Sequence, residues 1–139
     1  MNINELVPSF ETCERAKELG FPQKTFFFYG ADKHIKTNGK TGYMLYNKMQ
    51  NIEELNGVSA PTLQEAIAVL PDRIVNYQEE TTYWLTITKT EFKDDKGLIY
   101  IVCYRDDYNV VGDLYNIRHV NPAQAALELW IKLKKDDVI

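Results

Sequence analysis

The sequence predicts an α+β fold: one antiparallel sheet of about five strands with three helices, in the order α-β-β-α-β-β-(β)-α. Three observations lead there. Helix-start chemistry followed by a helical apolar period occurs at Ser9, Thr62 and Asn121. Between Arg73 and Arg118 the apolar period switches to two. Strands and helices also come in blocks, without the strict strand-helix alternation of a doubly wound parallel sheet. At 139 residues there is room for a single domain, 1–139. A unit of that size buries roughly two thirds of its unfolded surface, enough for a core without disulfide or metal staples.

The elements follow in chain order. Ser9 is placed to cap a helix over Phe10 to Leu19, where Phe10, Cys13, Ala16 and Leu19 recur at near-helical spacing and Gly20 supplies a left-handed stop. Thr25 to Tyr29 is apolar on both alternations, as in an interior strand covered on both faces. Thr41 to Tyr46 is its partner, with Asn38-Gly39 suited to a type I′ reversal. Residues 47–60 are polar and read as a loop with a helical turn at Ile52 to Leu55 and a turn at Asn56-Gly57. Thr62 and Glu65 form a capping box, and Leu63, Ala66, Ile67 and Leu70 make one apolar face, ended by Pro71. Strand candidates are Ile74 to Tyr77, Tyr83 to Thr90, Leu98 to Arg105 and, more weakly, Asp113 to Ile117, with a reversal at Asp94 to Gly97. Asn121 as cap, Pro122 at the first helical position and Gln124 at the capping-box position open the last helix. Its inner face carries Ala126, Leu129, Trp130 and Leu133, and Lys132, Lys134 and Lys135 complement its dipole.

Apolar residues at 45 % and charged residues at 26 % are those of an ordinary globular protein, which removes disordered and fibrous readings. A net charge of −4 disfavours generic nucleic-acid binding. The longest apolar run, Leu98 to Tyr104, is far short of the roughly 20 residues of a transmembrane helix, and no secretory signal is apparent. A cytoplasmic location is therefore expected, with Cys13 and Cys103 as buried reduced thiols.

Ala16 to Phe21, Ala60 to Ala66 and the alanine-rich stretch Ala123 to Leu129 together resemble a group of small phage- and prophage-encoded proteins of gut-type bacteria. These segments are helix boundaries and helix faces. The middle helix departs from the group, with Ala68-Val69-Leu70-Pro71 where a tryptophan-leucine pair is common. The resemblance implies a mobile-element origin and assigns no mechanism or catalytic residue.

Several chemistries fail on residue type. Gly39-Lys40-Thr41 ends like a phosphate loop, but His34 stands where the first glycine is needed and a strand, not a helix, follows. Asp107, Asn109 and Gly112 begin a calcium-loop spacing that ends on Arg118, a cation in place of the bidentate glutamate. Cys13, His34, Cys103 and His119 lack zinc-ligand spacing, so no metal and no cofactor is expected. Ser9 and Ser59 suit caps and turns, and the pairs Glu79-Glu80, Asp94-Asp95, Asp106-Asp107 and Asp136-Asp137 read as solvated surface. Lys96-Gly97 with Tyr100 gives half of an RNA-recognition strand motif, but Leu98, Ile99 and Cys103 break it.

Two features remain. Between Gln23 and Lys48, five lysines (Lys24, Lys33, Lys36, Lys40 and Lys48) stand against Asp32 alone, a net of +4 that leaves −8 on the rest. Lysine there protects an exposed hairpin from edge pairing, or Lys33, Lys36 and Lys40 dock an anionic partner. Nine tyrosines, six phenylalanines and two tryptophans also concentrate on predicted strands, where Trp84, Tyr100 and Tyr104 are the candidate binding residues of an uncovered sheet face. The expected function is non-catalytic: an accessory protein that binds a protein partner or forms a homodimer, with no membrane role. The alternatives are a small-molecule or nucleotide pocket lined by aromatics, and weak nucleic-acid binding through the lysine hairpin.

Overall fold

The computed structural model describes residues 5–37, 40–47, 57–91, 97–106 and 112–139. The C-terminal helix organises the core. α3 (Pro122–Lys135) buries Ala125, Ala126, Leu127, Leu129, Trp130, Ile131 and Leu133, most of its circumference. Sequence periodicity marks only one apolar face. The wider burial arises because α3 is packed between a sheet and two other helices, and its alanines let those neighbours approach closely.

Those helices are α1 (Phe10–Glu18) and α2 (Leu63–Val69). Ser9 caps α1 by accepting from the Thr12 backbone N–H, and Gly20 follows at φ +93°, the left-handed region that glycine enters without cost. Thr62 and Glu65 form the reciprocal capping box of α2, and Leu70 before Pro71 is extended, at φ −82° and ψ 141°. At α3 the Asn121 side chain accepts from Ala123 and Gln124 N–H groups with Pro122 at the start. Gln124 does not close the expected capping box. It is buried, and its amide bonds α1 instead, accepting from Ser9 N–H at 2.8 Å and donating to Thr12 Oγ1 at 2.6 Å.

The strands form two sheets where one of about five strands is expected. The first has β1 (Phe27–Thr37) between β2 (Lys40–Asn47) and β3 (Val58–Ala60). The interior position of the Phe27–Tyr29 segment agrees with its two-sided apolar pattern: Phe28 is fully buried and stacks on Tyr46, while Tyr29 meets Phe10 edge to face. β3 falls in a region that the sequence marks as loop. Three residues are too few for a period to show, and pairing of Phe27, Phe28 and Tyr29 with Ala60, Ser59 and Val58 makes them a strand. The second sheet is a meander, β4 (Arg73–Asn76), β5 (Thr81–Glu91), β6 (Leu98–Asp106) and β7 (Asp113–His119), all antiparallel. One apolar core joins both sheets to the helices, including Val58, Ala60, Tyr83, Val102 and Tyr104.

The expected turns at Asn38-Gly39 and at Asp94 to Lys96, the helical turn at Ile52 to Leu55, and Asp107 and Asn109 lie outside the described residues. No helix among the described residues is long and apolar enough to cross a membrane.

Candidate functional site

Register decides what each face of the second sheet carries. Leu85 stands opposite Tyr104 and Ile87 opposite Val102, and this face lies against α3. Trp84 stands opposite Arg105, Thr86 opposite Cys103 and Thr88 opposite Ile101, on the other face. Arg118 is opposite Ile101, and Asp113 opposite Arg105, so β7 extends that second face. Among the described residues no helix packs on it.

The second face is amphipathic. Trp84, between Arg73 and Arg105, is 41 % exposed, and Thr86, Thr88, Ile99 and Ile101, further along the same face, are half-buried. The Arg73 guanidinium lies 5.8 Å from the Trp84 ring centroid, within cation-π range. Along the β7 side a polar chain runs from Arg118 through Asn116 and Asp113 to Arg105. Arg118 Nε donates to Asn116 Oδ1 at 3.2 Å, Asn116 Nδ2 to Asp113 Oδ2 at 2.9 Å, and Arg105 grips the same carboxylate with two bonds of 2.8 and 3.2 Å. The Arg105 bonds hold the Asp113 carboxyl below its ordinary value despite some desolvation. Cys103 is fully buried beside this pair, and burial, together with the Asp113 charge, pushes its thiol up. Three arginines face one aspartate here, in a chain of net charge −4.

The three aromatic candidates therefore do not share a surface. Trp84 is on the open face. Tyr104 lies on the opposite face, fully buried, and its hydroxyl donates to the Pro71 carbonyl at 2.7 Å. Its placement among binding residues is corrected by the pleat: neighbouring strands alternate in step, so a residue opposite Leu85 faces the core. Tyr100 is on the core face too, beyond the part that α3 covers. There it is half-buried, with Lys89 Nζ 6.0 Å from its ring centroid. It lines an apolar groove of about 850 Å³ with Leu6, Leu63 and Val120.

Of the lysine candidates, Lys33 and Lys36 are in β1 and Lys40 is in β2, with Lys36 paired to Thr41 and Lys40 to Thr37. The hairpin is thus longer than expected, and the side chains of these lysines lie outside the described part.

A second concavity, of about 700 Å³, opens at the far end of the same sheet. It is lined by Tyr77, Tyr83 and Tyr115 with Glu79, over a floor that includes Ile74, Leu114 and Val138. Glu79 is exposed, and burial first, then the Glu79 charge, raises the Tyr83 hydroxyl. Asp106, expected in a solvated turn, is the last residue of β6 and is buried opposite Tyr83. Tyr115 sits in a β-bulge at φ 55°, a conformation that bulky residues rarely adopt. Alternation in the sequence could have flagged Arg73 and Arg118 on the Trp84 face once the register was known. No sequence signal marks the bulge at Tyr115.

Among the described residues no group of three or more His, Cys, Asp or Glu is arranged to hold a metal ion. No family model, curated protein or solved structure matches the chain.

Proposed function

We propose that the chain is a non-catalytic, cytoplasmic accessory protein of the phage type, which binds an acidic protein surface through the uncovered face of β4–β7. The observation that carries this reading is Trp84, 41 % exposed on a face that no described helix covers, with Arg73 against its ring. A tryptophan framed by threonines and arginines combines contact area, hydrogen bonding and charge, the composition of interface anchors. The excess of arginine supports a partner of opposite charge over a second copy of the same face, where like charges would meet. Nucleic acid is a weaker fit. Sheet faces that bind single strands stack several bases on aromatics, whereas β6 presents Ile99, Ile101 and Cys103 here.

The test is Trp84 fluorescence, read in a Trp130→Phe background while poly-glutamate or a single-stranded oligonucleotide is added. A salt-sensitive change with poly-glutamate, lost in Arg73→Glu/Arg118→Glu, is the expected result. No response to poly-glutamate, or tighter binding of the oligonucleotide, overturns it.

A further inference from the structure

The tyrosine-lined concavity at the β4–β5 turn carries an inference separate from the partner face. The Asn76 side chain accepts from the backbone N–H groups of Gln78 and Glu79, at 3.1 and 3.3 Å, and so fixes the turn that presents Tyr77 and Glu79. Tyr77 is 86 % exposed, the most exposed large apolar side chain among the described residues. Across the opening stand Tyr83 and Tyr115, with the Glu79 and Asp106 charges near Tyr83 and the Asp136 charge near Tyr115. The wall therefore offers three aromatic rings backed by carboxylates. It contains no lysine, arginine or histidine among the described residues, and its Asp113 is already paired with Arg105. Lys132 and Lys135, from the last turn of α3, line a separate small groove with Arg15, Glu128 and Asp136.

We infer that this concavity binds an organic cation, an ammonium or guanidinium group held against Tyr77, Tyr83 and Tyr115 with Glu79 at its rim. Aromatic faces attract a cation through their quadrupole, and a partly desolvated site strengthens that attraction. A small hydrated metal ion does not suit it. The apolar floor of Ile74, Leu114 and Val138 gives no oxygen ligands. The same head group occurs on free amines and on the side chains of basic peptides. A volume of about 700 Å³ lies within the usual range for small-ligand sites.

Titration calorimetry with choline, with N-acetyl-arginine amide and with 3,3-dimethylbutan-1-ol, the uncharged isostere of choline, tests the inference. Binding of either cation with at least about tenfold preference over the alcohol is expected. Tighter binding of choline identifies a free amine as the source, and tighter binding of the arginine amide a basic side chain. Tyr77→Ala and Glu79→Gln should each weaken the cation by about three- to tenfold with an unchanged melting temperature, since both residues are exposed. Equal binding of the alcohol, no heat from either cation, or full affinity in both variants overturns it.

Discussion

Tyr104 stands directly opposite Leu85 in the β5–β6 ladder, one residue out of step with Trp84. That offset sends two neighbouring aromatics to opposite sides of the sheet. Tyr104 is fully buried and its hydroxyl donates to the Pro71 carbonyl at 2.7 Å, so β6 is tied to the segment where α2 ends. Tyr104→Phe removes the donor and leaves that carbonyl without it. A loss of about 1–2 kcal/mol in urea unfolding is expected. Trp84→Ala, on the open face, should stay within about 1 kcal/mol of the parent. The reverse order would show that the faces are misassigned.

Gln124 provides a second comparison. Its amide joins Ser9, Thr12 and Glu128, the last at 2.9 Å, across 112 residues of chain in the case of Thr12. Gln124→Leu keeps the bulk and deletes these bonds, leaving the Ser9 N–H and Thr12 hydroxyl short of a partner. The expected cost is about 2–3 kcal/mol. Thr62→Ala removes one cap on a seven-residue helix and should cost about 1 kcal/mol. Chemical denaturation of both variants ranks them, and a larger effect at Thr62 would contradict the bridging role of Gln124.

The contrast between these two positions shows what was legible in the sequence. Thr62-Glu65 and Asn121-Pro122 act on their own helices within a few residues, so local spacing is enough to read them, and all three helices are found where it places them. Gln124 has the right spacing for a capping box as well, but a partner 112 residues away competes for its amide and wins. Strand existence was legible by the same local logic, and β4 to β7 fall where the sequence places strand candidates. Their grouping was not. Whether β1 joins β5 in one sheet or pairs with a three-residue β3 depends on contacts that leave no period behind. The candidate site suffers most from this. A one-residue change of register exchanges the two faces, so Trp84 and Tyr104 could not be separated before the ladder was known. The tyrosine concavity depends further on a bulge at Tyr115 that composition does not encode.

Alkaline pH should unfold the protein through its buried acids. Burial, with smaller contributions from the Cys13 and Glu11 charges, raises the Tyr29 hydroxyl from 10.0 to about 12. Burial, then Glu11, raises the Cys13 thiol from 9.0 to about 12. Tyr104 is also raised, by burial first and Asp72 second. The folded state thus holds these protons more tightly than the unfolded chain. The stability they contribute is complete below pH 9.0 and is lost as pH climbs towards 12. Melting temperature should be flat up to about pH 9 and fall above it. Phenolate absorbance should show Tyr29 and Tyr104 ionising only together with unfolding, and their titration within a folded chain would refute the assignment.

The Arg105–Asp113 ion pair acts electrostatically on Cys103. Arg105 holds the Asp113 carboxyl low, while burial first and Asp113 second hold the fully buried Cys103 thiol high against a lowering effect of Arg105. Asp113→Asn breaks the bidentate grip, releases Arg105 and removes the nearby negative charge. Loss of that charge favours the thiolate. Labelling of the native protein with a thiol-specific reagent should accelerate at Cys103 and not at Cys13, which is buried on the inner face of α1. Acid acts on the same pair. The Asp113 value in the folded state is below 3.8, so its contribution is present above that pH and disappears as pH falls through the lowered value. The parent should therefore lose stability in that acid range and Asp113→Asn should lose less. Equal acid profiles for the two proteins, or equal labelling rates at Cys103, would remove the pair from this role.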